Sequence, residues 1–116
     1  MVEDDAAIRE MVAAFLEESG YETRTAANGH EGLDILATWR PDLVILDMMM
    51  PVMDGRGFRA VQMSHADWRR IPVIVLSATR AFLSQEETVG ARAVIAKPFD
   101  LDPLLELVEE WIGKEV

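Results

Sequence analysis

Cysteine is absent from this 116-residue chain, which excludes a disulfide framework and any thiolate-bound metal. Long hydrophobic runs are missing as well. The longest, at residues 43–46 and 73–76, fall far below the roughly 18 residues that mark a membrane span. The amino-terminal residues lack the basic start and apolar stretch of a signal peptide, so a cytoplasmic protein is expected. Positive charge is scarce. The formal net charge is −10, and only two lysines, Lys97 and Lys114, stand beside nine arginines. Such a surface repels phosphate backbones, because nucleic-acid affinity comes mostly from Lys and Arg releasing counterions. Neither direct nucleic-acid binding nor membrane insertion is expected. What remains is half hydrophobic and 28% charged, ordinary for a globular domain. The length suffices for one core and not for two, so residues 1–116 are expected to form a single domain.

Apolar β-branched runs alternate with helical patterns. Ile8, Met11, Val12, Phe15 and Leu16 follow the 3.6-residue period, and Gly20 offers a stop. Residues 21–25 read as a short strand. Asn28 with Glu31 three positions later marks a helix start, Leu33, Leu36 and Ala37 form its stripe, and Arg40-Pro41 closes it. The run at 43–46 is a continuous apolar strand ending at Asp47. A turn with Pro51 and Gly55 follows, then a helix around Phe58, Ala60, Val61 and Met63. Residues 72–76 form the next strand, ending at Ser77. A helix near residues 81–89 stops at Gly90, a strand at 93–96 ends at Lys97-Pro98, and a last helix carries Leu101, Leu104, Leu105, Val108 and Ile112. Strands apolar on both faces and alternating with helices predict a parallel sheet covered on both sides. The first strand has only Met1 and Val2 before Glu3-Asp4-Asp5. Either the sequence lacks residues of the natural protein's first strand, or the sheet begins with a stub, which in a central position would leave neighbouring strands unpaired and open to pairing with a second copy in a homodimer.

In such sheets ligands bind at the carboxyl ends of the strands. Asp4 and Asp5, Asp47, Ser77 and Lys97 each follow a different strand and converge on one edge. Two unit charges ~4 Å apart repel by about 4 kcal/mol at an effective dielectric near 20, and nothing structural requires three carboxylates together. A hard divalent cation relieves that repulsion, and oxygen-only ligands favour Mg²⁺. Asp47 then offers a carboxylate oxygen as nucleophile, Lys97 a point charge for phosphate oxygens, and Ser77 a hydroxyl donor. Each residue also has a plain structural reading: Asp4 or Asp5 as a helix cap, Asp47 as a turn residue, Ser77 and Lys97 as surface. Together at four strand ends they form a constellation that those readings do not explain.

Glu3-Asp4-Asp5, Leu46-Asp47-Met48-Met49-Met50-Pro51 with Met53-Asp54-Gly55, Ser77-Ala78 and Lys97-Pro98-Phe99 resemble the signatures of response-regulator receiver domains, over essentially the whole chain. The resemblance implies a flavodoxin-like fold, five parallel strands in the order 2-1-3-4-5 with five helices. It implies Asp47 as phosphoacceptor in two-component signalling. Asp5, Asp47 and the Met49 backbone carbonyl would hold Mg²⁺, and Asp4 would act largely through metal-bound water. It further implies Ser77 as switch hydroxyl, Lys97 as phosphate-binding cation, a cis Lys97–Pro98 bond, and Met49 and Thr79 as flanking positions that tune phosphoryl lifetime. The donor would be a phosphohistidine on a sensor histidine kinase or a histidine phosphotransfer protein.

The chain departs from the family at Val94, where an aromatic is usual three residues before the lysine. The segment from Ser77 to Lys97 is also short. These departures motivate the alternative of a degenerate receiver acting as an unphosphorylated interaction or dimerisation module. An aspartyl-phosphate phosphohydrolase is disfavoured, because Met49 stands where that class has its general acid. His30, His65, the three tryptophans, the Met48, Met49, Met50 run and Arg69-Arg70 are read as surface or packing residues without ligands.

Overall fold

The computed structural model describes residues 1–48, 52–77 and 91–112. The first helix, α1 (Ala6–Glu18), starts at Asp5, whose Oδ1 accepts from the Ala7 and Ile8 amides at 2.9 and 3.2 Å. That side-chain oxygen satisfies two of the donors a helix start leaves open. Of the expected apolar stripe, Val12 and Leu16 are buried, whereas Met11 faces solvent. The helix α2 (Gly29–Thr38) starts as expected at Asn28: its Oδ1 accepts from the Glu31 amide, and Glu31 Oε1 accepts in return from the Ala27 amide.

Three strands follow the expected runs: β1 (Val44–Asp47), β2 (Val73–Ser77) and β3 (Ala93–Ala96). They form a parallel sheet in the order β1-β2-β3, with Val44 opposite Val73 and Ile74 opposite Ala93. Two further positions complete the layout as single bridges. Val2 pairs in parallel with Ala26 on one side and Leu46 on the other. The strand expected at residues 21–25 is not formed; only Ala26 pairs, because Met1 and Val2 provide too little partner backbone for a ladder.

Among the described residues the remaining helices are α3 (Gly55–Ser64) and α4 (Leu101–Ile112). The helix expected near residues 81–89, along with Met49 and Thr79, lies outside the described residues. The helix expected around Phe58, Ala60, Val61 and Met63 is formed, and Phe58, Arg59 and Gln62 turn inward while Met63 is exposed. Gln62 explains this, since its amide donates to the carbonyls of Trp68 and Ile71 at 3.0 and 3.1 Å and ties α3 to the turn before β2. A buried polar side chain with its bonds made costs little.

Alternation along the strands divides the core. Val44, Leu46, Val73 and Val75 pack with Leu36 and Phe58 on the α2 and α3 side. Ile45, Ile74 and Leu76 pack with Val12, Leu16, Leu104 and Val108 on the α1 and α4 side. Burial on both faces is what makes these strands apolar throughout, and it leaves only their ends for polar chemistry. Among the described residues no helix is long and apolar enough to cross a membrane.

Candidate functional site

The carboxyl ends of the strands carry the charged residues that the core excludes. Asp47 is the last residue of β1 and is 1% exposed. Its amide donates to the Val2 carbonyl at 2.9 Å, which sets Glu3 beside it. Glu3 is completely buried. Lys97 follows β3, and its amide donates to the Ser77 carbonyl at 2.8 Å, so the ends of β2 and β3 are pinned together. The Lys97–Pro98 bond is cis, as expected. Ser77 closes β2 and is buried at this edge.

Lys97 Nζ lies 2.6 Å from Glu3 Oε1 and 3.3 Å from Asp47 Oδ2. Carboxylate oxygens of Glu3, Asp4 and Asp47 all lie within 4.8 Å of one another, with Glu3 and Asp47 buried and Asp4 exposed. Burial opposes the charge on Lys97, but hydrogen bonding to Glu3 and the nearby charges of Asp47 and Glu3 outweigh it and raise its pKa. Asp4 is held below the usual carboxylate range. Desolvation pushes its pKa up, and hydrogen bonding with Glu3 and Asp47, with the Lys97 charge, more than offsets that. The donor set is entirely oxygen, clustered and open to solvent on the Asp4 side, which suits a hard cation that keeps part of its water shell.

One assignment needs correction. Asp5 was expected among the metal ligands, but its carboxylate caps α1 and is exposed, and the buried position beside Asp47 belongs to Glu3. The reason is register. With Val2 bridging Leu46, the next residue is the one carried inward to the strand end, and the helix start two residues later claims Asp5. A capping argument run backwards from Ala6 would have found Glu3. Arg9 was also missed. Its Nη1 donates to the Glu3 carbonyl at 2.8 Å and holds the acidic turn from beneath, a role that nothing in the sequence pattern announces.

The loop after β1 is shaped by a glycine. A Cβ on Gly55 would stand 2.8 Å from Met48 Cα and 2.9 Å from the Asp47 carbonyl oxygen, so only glycine lets the start of α3 approach the site backbone this closely. Val94, at the position where an aromatic was expected, is half-buried in β3 and packs against the core on the α2 and α3 side. His30 and His65 are exposed, as expected; His65 stacks on Trp68 with ring centroids 3.9 Å apart.

Comparison with known proteins agrees with this geometry. The sequence profile of the response regulator receiver domain matches residues 1–109. Sporulation initiation phosphotransferase F of Bacillus subtilis is 34% identical over 114 residues, covering 97% of this chain and 90% of that protein. Response regulator Rre1 of Synechocystis sp. is 37% identical over 119 residues, and the chain spans only 51% of its length. The structure of response regulator protein TrrA from Thermotoga maritima, in complex with Mg(2+)-BeF, superposes with a TM-score of 0.84 at 33% identity, covering 95% of this chain and 94% of that one. Fold, site geometry and these relatives agree: the chain belongs to the family of response regulator receiver domains of two-component systems.

Proposed function

We propose that this receiver acts in the cytoplasm and accepts a phosphoryl group on Asp47 from a phosphohistidine of a sensor histidine kinase or histidine phosphotransfer protein, in a Mg²⁺-dependent reaction. The observation that carries this reading is the Asp47 carboxylate at a strand end, grouped with Glu3 and Asp4 and faced by Lys97 at 3.3 Å. An Asp47 carboxylate oxygen attacks phosphorus, the P–N bond to the donor imidazole breaks, and the imidazole leaves with a proton. The product is an acyl phosphate.

Glu3, Asp4 and Asp47 would hold the cation, with the Met49 carbonyl, outside the described residues, as a further ligand. Bound there, Mg²⁺ neutralises charge on the transferred group and relieves repulsion among the carboxylates. Lys97 is poised to exchange its contact with the Asp47 carboxylate for phosphoryl oxygens. Ser77, pinned to Lys97 through the backbone, offers its hydroxyl to the same group. The phosphorylated state would then favour a different surface for a downstream partner protein. Val94, packed against the core, cannot swing as a ring does, so the switch would be transmitted without an aromatic rotamer change.

The test is intact mass after incubation with a small acyl phosphate, with and without Mg²⁺, beside Asp47→Ala. Gain of one phosphoryl mass dependent on both Mg²⁺ and Asp47 is the expected result. No gain in demonstrably folded protein would move the reading to an unphosphorylated interaction module.

A further inference from the structure

The backbone of the acidic turn is fixed group by group. The Glu3 amide donates to the Ala26 carbonyl at 2.9 Å, and the Asp5 amide to Glu3 Oε2 at 3.1 Å. The Glu3 carbonyl accepts from Arg9 Nη1 at 2.8 Å, and the Asp4 carbonyl accepts a weaker bond from the same nitrogen at 3.4 Å. Arg9 is itself held by α1, where its amide donates to the Asp5 carbonyl at 2.9 Å. One guanidinium nitrogen therefore spans two consecutive peptide units, and those units carry two of the acids that gather beside Asp47.

What the guanidinium leaves alone is as informative. Glu3, Asp4 and Asp5 stand four to six positions before Arg9, yet among the described residues it forms an ion pair with none of them. A guanidinium beside a carboxylate ordinarily pairs with it, because such a bond is charge-assisted on both sides. Here Glu3 Oε1 reaches Lys97 at 2.6 Å, and Asp5 caps α1. The arginine grips the backbone and leaves the side chains to the site. Glu3, Asp4 and Asp47 keep carboxylate oxygens within 4.8 Å of one another, so repulsion pushes them apart and the backbone they hang from has to resist.

We infer that Arg9 is a positioning residue: by clamping the Glu3 and Asp4 carbonyls it holds the acidic turn ready for a cation and so sets the affinity of the site for Mg²⁺. The inference rests on the Mg²⁺ reading of this site. It has an arginine raise affinity for an ion of its own sign. The charge of Arg9 opposes a dication, whereas its two carbonyl bonds spare the site the cost of gathering its carboxylates at the moment of binding. Groups that orient the ligands of a metal govern roughly tenfold or more in its affinity, and solvent weakens the opposing charge effect.

The experiment titrates magnesium chloride into the parent chain, Arg9→Met and Arg9→Lys. Amide NMR shifts of residues 3–5 and 47 report binding, beside urea midpoints and amide exchange in EDTA. Methionine keeps the apolar length and loses both charge and donors; lysine keeps the charge without the planar fork. Arg9→Met should bind Mg²⁺ roughly tenfold more weakly, Arg9→Lys should fall between it and the parent, and the Asp5 amide should exchange faster in both. Arg9→Met that binds Mg²⁺ as tightly as the parent, or more tightly, would overturn the inference: loss of charge alone tightens binding, and a merely structural arginine moves only the urea midpoint. Should Arg9→Met not fold, Arg9→Lys carries the same test, since its charge is unchanged and parent-like affinity would count against positioning. A parent chain that takes up no Mg²⁺ would instead overturn the cation reading of the site, and the inference with it.

Discussion

Replacing a buried, ion-paired aspartate normally destabilises a protein, but Asp47→Asn is expected to do the opposite when no divalent cation is present. Three effects compete. The Asp47 carboxylate is attracted to Lys97 at 3.3 Å, about 5 kcal/mol at an effective dielectric near 20. It is repelled by Glu3 and Asp4 at up to 4.8 Å, about 3.5 kcal/mol for each at that dielectric. Asp4 is exposed, and solvent screens its share to a fraction of that figure. Attraction and repulsion therefore nearly cancel. Desolvation decides the sign: a carboxylate that is 1% exposed forfeits several kcal/mol of hydration, which a neutral amide of the same shape largely avoids. The net gain should be about 1–3 kcal/mol, read as a higher urea midpoint in EDTA. Excess Mg²⁺ should narrow or reverse the gap. The unsubstituted chain gains about 2.7 kcal/mol at a hundredfold excess over its dissociation constant, and the variant with one carboxylate fewer gains less. An Asp47→Asn protein less stable than the parent in EDTA would refute the reasoning and show that the Lys97 pair dominates.

Two other predictions follow from the same edge of the sheet. The Asp4 carboxyl lies below its ordinary value of 3.8, so its contribution to stability is present above pH 3.8 and is lost as pH falls through the lower folded value. The Lys97 amine lies above its ordinary 10.5, so its contribution is complete below pH 10.5 and is lost as pH climbs through the higher folded value. Urea midpoints across both limbs test this, and Lys97→Met should flatten the alkaline one. Gly55→Ala should cost about 1–3 kcal/mol, because the new methyl meets backbone at Met48 and Asp47 as well as the Met48 side chain, and the backbone cannot swing aside. By moving the Asp47 carbonyl, it should also slow labelling by an acyl phosphate more than it lowers the fraction folded; equal losses in both would make the glycine merely structural.

The parallel sheet was legible because burial on both faces demands unbroken apolar runs, and those runs survive as β1, β2 and β3 within a residue of their expected bounds. The starts of α1 and α2 were legible too, since caps are local: Asp5 and Asn28 bond to amides two or three residues away. The convergence of Asp4, Asp47, Ser77 and Lys97 on one edge followed from strand direction alone. Residues 21–25 were misread because the alternation of Tyr21, Thr23 and Thr25 with charged residues describes a strand only where a ladder forms, and here a single bridge, Val2 with Ala26, is formed. The inward face of α3 was not legible for a related reason: its buried Gln62 is satisfied by carbonyls of the next turn, which no helical period encodes.

Three consecutive acids show where sequence and tertiary structure divide. From composition and position, the sequence by itself determined that carboxylates would gather after the first strand, opposite Asp47. Which of the three enters the site was decided by long-range pairing. The bridges of Val2 to Ala26 and Leu46 set the register, carry Glu3 into the buried position beside Lys97, leave Asp4 at the solvent edge and release Asp5 to cap α1. Neighbouring side chains on extended backbone point to opposite faces, so a shift of one residue exchanges the buried acid for an exposed one.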